Sequence, residues 1–171
     1  MGHSDNSSDA IVISLEKARL DVAFVHAFLS TSSWAAGISL ARVRTSINHS
    51  LCAGAYLGTQ QIGFARLVTD FATFGYLCDV FVDSHHRGQG LGKRLTLALL
   101  NSPEVNGSEV NCPEVNCPRE HSTEVAPLRR ILLATSTASW LYEGLGFTPV
   151  NQPNYLWQRY RPDAYSEPGR R

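Results

Sequence analysis

The densest chemistry in the sequence lies in one stretch, Tyr76-Leu77-Cys78-Asp79-Val80-Phe81-Val82-Asp83-Ser84-His85-His86-Arg87-Gly88-Gln89-Gly90-Leu91-Gly92-Lys93-Arg94. A run rich in β-branched and aromatic residues passes into glycines. The glycines lead into a segment where Leu91, Leu95, Ala98 and Leu99 recur at helical spacing. Glycines let successive N–H groups curl into one concavity, and the following helix N-terminus adds partial positive charge. Basic side chains oppose the dipole in a first helical turn. Arg87, Lys93 and Arg94 therefore make most sense if an anion rests there, and a pyrophosphate is the natural candidate. Two familiar phosphate loops fail on spacing. A nucleotide P-loop needs four residues between its glycine and the Gly-Lys pair, then Ser or Thr; here only three residues separate Gly88 from Gly92, and Arg94 follows Lys93. A dinucleotide loop needs Gly-x-Gly-x-x-Gly, and this one reads Gly88-Gln89-Gly90-Leu91-Gly92, late in the chain.

Asp79 is the carboxylate within that apolar strand, and a buried carboxylate is costly unless paired. Two readings stand side by side. It has a functional role, as a base or as a partner for a charged ligand; or it forms an ion pair, with Arg66 on the neighbouring strand as the partner. His85 and His86 read as an exposed turn pair. Cys112, Cys117 and His121 follow Cys-x4-Cys-x3-His rather than a Cys-x2-Cys knuckle, and both cysteines come from copies of one repeat, so no metal is expected. Cys52 and Cys78 read as buried thiols on strands.

These residues need a scaffold, and its elements are legible. Ile11-Val12-Ile13 reads as a short strand. Asp21 caps a helix carrying Val22, Val25, Phe28 and Leu29, and residues 40–48 form a second helix. Residues 51–57 and 61–68 flank a Gly58-Thr59 turn as a hairpin, and residues 75–82 add a third strand. Residues 130–135 form a continuous apolar run, expected at a sheet centre covered on both faces. Residues 139–145 read as a helix closed by Gly146, and residues 154–160 as a last strand. The order indicates an α/β fold on a mixed sheet.

The chain of 171 residues suits a single domain, with 43% hydrophobic residues to fill a core and so exclude general disorder. Fifteen basic residues cancel fifteen acidic ones, which argues against nucleic-acid binding. No apolar run reaches the ~20 residues of a membrane span. The polar, acidic residues 1–10 do not read as a signal peptide but as a frayed tail, and residues 162–171 read as a polar C-terminal tail. With its thiols, the chain is expected to be cytoplasmic. Residues 102–127 break the rhythm with a five-residue period: Glu104-Val105-Asn106-Gly107-Ser108, Glu109-Val110-Asn111-Cys112-Pro113, Glu114-Val115-Asn116-Cys117-Pro118. Units so short and so rich in Pro and Glu read as an exposed insertion between helix and strand.

The spacing that does fit is Arg-x-x-Gly-x-Gly, from Arg87 through Gly90 to Gly92. A second motif follows in Ala138-Ser139-Trp140-Leu141-Tyr142-Glu143-Gly144-Leu145-Gly146-Phe147. In these two motifs, and in their order, the chain resembles the GNAT superfamily of N-acetyltransferases over roughly residues 11–160, the repeat excluded. The resemblance implies a central twisted mixed sheet with helices on both faces and a splayed central strand. It implies acetyl-CoA as co-substrate: pantetheine along Val80, Phe81 and Val82, and pyrophosphate on the amides of Arg87, Gly88, Gln89, Gly90, Leu91 and Gly92 with Lys93 alongside. Tyr142 matches the position of the family's general acid near the thioester sulfur, and a strand amide, that of Val80, would meet the oxyanion. Asp79 is the candidate base. Where many members carry Asn seven residues before this tyrosine, this chain has Thr135, a polar substitute on the cofactor side. Trp34, Arg66, Phe71 and Tyr155 are the expected acceptor-side residues, with Trp157 near them. The implied activity is acetyl transfer to a primary amine, a small molecule rather than a basic protein tail, since no acidic stretch offers docking. A protein acetyltransferase and an inactive CoA-binding module are the alternatives. A homodimer is open to it by analogy alone.

Overall fold

The computed structural model describes residues 10–107 and 127–153, together with 156, 158, 159 and 165. The chain divides into two compact units, Met1–Leu20 with Ile47–Ala134, and Asp21–Ser46 with Thr135–Arg171.

The first unit carries a five-stranded sheet in the order β1-β2-β3-β4-β5, made of Ile11–Ser14, Leu51–Leu57, Gln60–Thr69, Phe74–Val82 and Arg130–Leu133. The first four strands are antiparallel neighbours, and β5 joins β4 in parallel. The fold is thus α/β on a mixed sheet, as the element order predicts. Helix α3 (Leu91–Leu100) covers one sheet face with Leu91, Leu95 and Leu99, all buried. Burying each such leucine contributes about 1.5–3 kcal/mol. The helix comes so near that a Cβ on Gly63 would lie 3.1 Å from Leu95 Cδ1. On β2, the ring of Tyr56 lies over Gly54 and leaves no room for a side chain there.

The sequence reads residues 130–135 as a central strand, and the strand observed there, β5, spans Arg130–Leu133. Among the described residues β5 is a terminal strand of the sheet, and Ile131, Leu132 and Leu133 are only half-buried. An apolar run marks burial but does not distinguish the middle of a sheet from its end. The expected last strand falls largely outside the described residues, as do Tyr155, Trp157, Cys112, Cys117 and His121. So do the expected tails, apart from Ala10 and Tyr165, and the repeat beyond Gly107.

The first repeat copy is not the exposed linker its composition suggests. Pro103–Asn106 forms a short helix, α4, with Pro at its first turn, and Val105 is 3% exposed. The Leu128 amide donates to the Val105 carbonyl at 3.0 Å, tying the copy to the approach to β5. Val105→Ala removes two buried methyl groups, worth about 1.5 kcal/mol. It should lower the melting temperature by roughly 3–6 °C; an unchanged melting curve would return this copy to the status of a spacer.

The second unit holds α1 (Val22–Leu29), the body of α2 (Leu40–Asn48) and α5 (Ser139–Glu143). Asp21 caps α1 as its residue type predicts, accepting from the amides of Ala23 at 2.9 Å and Phe24 at 3.0 Å. After α5, Gly146 takes φ +85°, a conformation that favours glycine, and the Phe147 amide turns back to the Tyr142 carbonyl at 3.0 Å. Among the described residues no helix is long and apolar enough to cross a membrane.

Candidate functional site

Strand β4 departs from regular geometry where the site begins. Arg66 pairs with Cys78 and Phe64 with Phe81, so Ala65 alone faces both Asp79 and Val80. This is a β-bulge, and Asp79 adopts φ +53° within it. The pairing with β5 ends at Leu77–Leu133, while β4 runs on to Val82. Among the described residues, residues 78–82 therefore extend past the pairing with β5, and they include the stretch expected to lie along the pantetheine arm. Val80 and Val82 are half-buried; Phe81 is buried, its ring 6.0 Å from that of Phe64.

Beyond β4 the chain turns sharply. Asp83 accepts from the His85 amide at 2.9 Å and opens a 3-10 turn over Ser84–His86. The Arg87 Nε donates back to the Val82 carbonyl at 3.1 Å, closing the base of the loop. Gly88 and Gly90 then adopt φ +79° and +71°, and α3 starts at Leu91. A Cβ at either glycine would meet nothing within 4 Å. The loop thus needs glycine for its backbone conformation, and residues 87–90 are exposed. An exposed, curled backbone leading onto a ten-residue helix fits a diphosphate.

The three cations have different roles. Lys93 is exposed in the first turn of α3. Arg94 instead reaches β1, its Nη2 donating to the Ile11 carbonyl at 2.6 Å. This corrects the reading of Arg94 as an anion ligand, because a long side chain reaches a backbone acceptor 83 residues away.

The carboxylate of Asp79 meets Arg66 as the ion-pair reading anticipates: Nε and Nη2 of Arg66 lie 2.8 and 2.7 Å from Oδ2. Arg66 Nη1 also donates to Ser50 Oγ at 3.1 Å. The guanidinium is thus engaged within the sheet through three nitrogens, which counts against an acceptor-binding role for it. Burial disfavours the Arg66 charge, and the Asp79 carboxylate, its hydrogen bond and the neighbouring thiols outweigh that, holding Arg66 above its ordinary range. Burial also pushes the Cys78 thiol to about 12 and that of Cys52 to about 11, so neither is a ready nucleophile at neutral pH.

Phe71 is exposed at the β3–β4 turn with φ +58°. Its neighbour Asp70 accepts from the hydroxyl and amide of Thr73 and from the amides of Ala72 and Phe74, which hold its carboxyl well below the usual range.

In the second unit, Trp34 is exposed, its ring 6.1 Å from that of Phe28. Thr135 uses its hydroxyl locally, accepting from the Ala138 amide at 3.0 Å at the entry to α5. Tyr142 is half-buried and edge-on to Phe147, with centroids 5.9 Å apart. Desolvation raises its phenol above the ordinary tyrosine value, so it is a protonated donor throughout the physiological range. Ser50 and the bulge were not legible beforehand; the one signal was a carboxylate in an apolar strand. Among the described residues no group of three or more His, Cys, Asp or Glu side chains is arranged to hold a metal.

Comparison with known proteins reaches the same ground. A family model described as an acetyltransferase (GNAT) domain matches residues 48–149. A curated relative from Gibberella zeae, named as an acetyltransferase, is 32% identical over 110 residues, covering 53% of this chain and 62% of the relative. This chain therefore matches less than two thirds of that relative's length. A GNAT-family crystal structure from Xanthomonas campestris pv. campestris aligns with a TM-score of 0.76 and 38% identity over 92% of this chain and 98% of that one. A structure from Clostridium acetobutylicum, described as an acetyltransferase with acetyl-CoA, shares the fold at a TM-score of 0.56 and 15% identity, over 89% of this chain and 95% of that one. The family match takes in the glycine loop and the Tyr142 segment in the order the two motifs predict, and the chain belongs to the GNAT acetyltransferase family.

Proposed function

We propose that the protein is an acetyl-CoA-dependent N-acetyltransferase acting on the primary amine of a small molecule by direct attack in a ternary complex. The observation that carries this reading is the loop of Gly88 and Gly90, exposed and in left-handed conformations, opening onto α3. Its shape suits the diphosphate of coenzyme A, and the solved Clostridium relative was described with acetyl-CoA. Family membership supplies the reaction class.

The chemistry makes an N–C bond and breaks a C–S bond. An alkyl ammonium of pKa ~10 is about one part in a thousand free amine at pH 7, and that fraction attacks. The Val80 amide meets the negative charge developing on the carbonyl oxygen. Tyr142 gives its proton to the departing thiolate and regains one from solvent; the amide nitrogen releases its extra proton to water. With both described thiols raised by burial, direct attack is favoured over a covalent cysteine intermediate. Those free thiols suit a reducing, cytosolic setting.

Thiol release from acetyl-CoA, followed across a panel of small aliphatic, amino-acid and aromatic amines and a basic peptide, tests the proposal. Release driven by at least one small amine is expected. Release with the peptide alone would make it a protein acetyltransferase, and binding without release for every acceptor would make it a CoA-binding module.

A further inference from the structure

We infer that Asp79 is a positioning residue: together with Arg66 and Ser50 it holds the β4 bulge in the conformation that aims the Val80 amide. The inference rests on the acetyltransferase reading for its catalytic consequence, but its structural content stands apart from it.

Three observations meet at this point. Asp79 is one of two non-glycine residues with positive φ among those described, and such a conformation is costly for an L-residue unless its surroundings hold it. Asp and Asn tolerate it best among residues with side chains. The peptide between Asp79 and Val80 turns with the Asp79 backbone angles, so the direction of the Val80 N–H is set by this residue. The Asp79 side chain is in turn fixed by two guanidinium nitrogens at 2.8 and 2.7 Å, on the strand that forms the other side of the bulge. Arg66 is braced behind by the hydroxyl of Ser50, which is 3% exposed and whose own amide donates to the Ile47 carbonyl at 3.3 Å. Residues at the starts of β2 and β4's bulge are thus linked through β3 by direct contacts. Both guanidinium contacts fall on Asp79 Oδ2, which ties this carboxylate to β3.

Positioning and base catalysis predict different orders among variants. Asp79→Asn keeps a carbonyl oxygen for Arg66 and tolerates positive φ; Asp79→Gly keeps only the backbone freedom; Asp79→Ala keeps neither. With the full-length protein, acetyl-CoA and the best amine of the panel, kcat should fall about threefold for Asn, about tenfold for Gly and about thirtyfold for Ala. KM for acetyl-CoA should change little. Ser50→Ala should lower kcat a few-fold with KM unchanged. A second readout needs no turnover: in amide NMR spectra the Val80 resonance should stay near its wild-type position in Asp79→Asn and move in Asp79→Ala. Asn falling as far as Ala in kcat, or a Val80 resonance that ignores Asp79→Ala, would overturn the inference. Wild-type protein that releases no thiol with any amine, while Val80 shifts as described, would instead remove the functional reading and leave the positioning role standing.

Discussion

Gly90→Val is expected to abolish measurable acetyl-CoA binding in a protein that still folds. The two halves of this expectation have separate causes. A Cβ at Gly90 would meet nothing within 4 Å, so the folded chain has room for the new side chain. The φ of +71° is the cost, about 1–2 kcal/mol for an L-residue and more for a β-branched one. That lowers the melting temperature by several degrees and leaves a cooperative transition. The open space beside Gly90 is, however, where a diphosphate would approach the amides at the start of α3. A branched side chain there blocks the approach and turns the loop amides away from it. Calorimetric titration with acetyl-CoA should show a loss of affinity of at least 10²-fold. Gly90→Ala, with less backbone strain and less bulk, should bind with an affinity between those of wild type and Gly90→Val. Wild-type affinity in folded Gly90→Val would place the coenzyme on another surface.

Tyr142→Phe should lower kcat by about 10²-fold with KM for acetyl-CoA nearly unchanged, the range expected when a general acid is removed. The ring itself is retained, so the edge-on contact with Phe147 at 5.9 Å survives and stability should move little. The sign of the pH dependence follows from the raised phenol. A donor whose folded value lies above the ordinary tyrosine value stays protonated through neutral and mildly alkaline pH. It loses its proton, and its function, only above that value. The wild-type rate should therefore show no falling limb below about pH 10, while the amine's own deprotonation raises it. Tyr142→Phe should lose the alkaline falling limb altogether. An unaltered kcat would remove Tyr142 from the proton transfer.

Features that depend on local backbone conformation were legible in the sequence. Gly88, Gly90 and Gly146 each sit where φ is positive, and Asp21 caps the helix it precedes. These choices involve neighbours along the chain, so residue type and spacing suffice to read them. The misreadings all involve distant partners. Arg94 resembled an anion ligand by its place in a first helical turn, yet it closes on a carbonyl of β1. Val105 carries a linker's composition and is nevertheless buried, held through Leu128. The bulge at Asp79 depends on the register between β3 and β4, which no single segment encodes. The Arg66 pairing was readable as an alternative because a carboxylate in an apolar strand requires a partner; Ser50, a small polar residue at a strand entrance, gave no such signal.

The most direct test is an amide-resolved map of where acetyl-CoA touches the protein, from a cofactor-bound crystal structure or a titration followed by NMR. The diphosphate is expected against the backbone amides of residues 87–92, with the acyl arm along residues 80–82. A ligand held elsewhere, with the resonances of Gly88 and Gly90 unmoved at saturation, would contradict that placement.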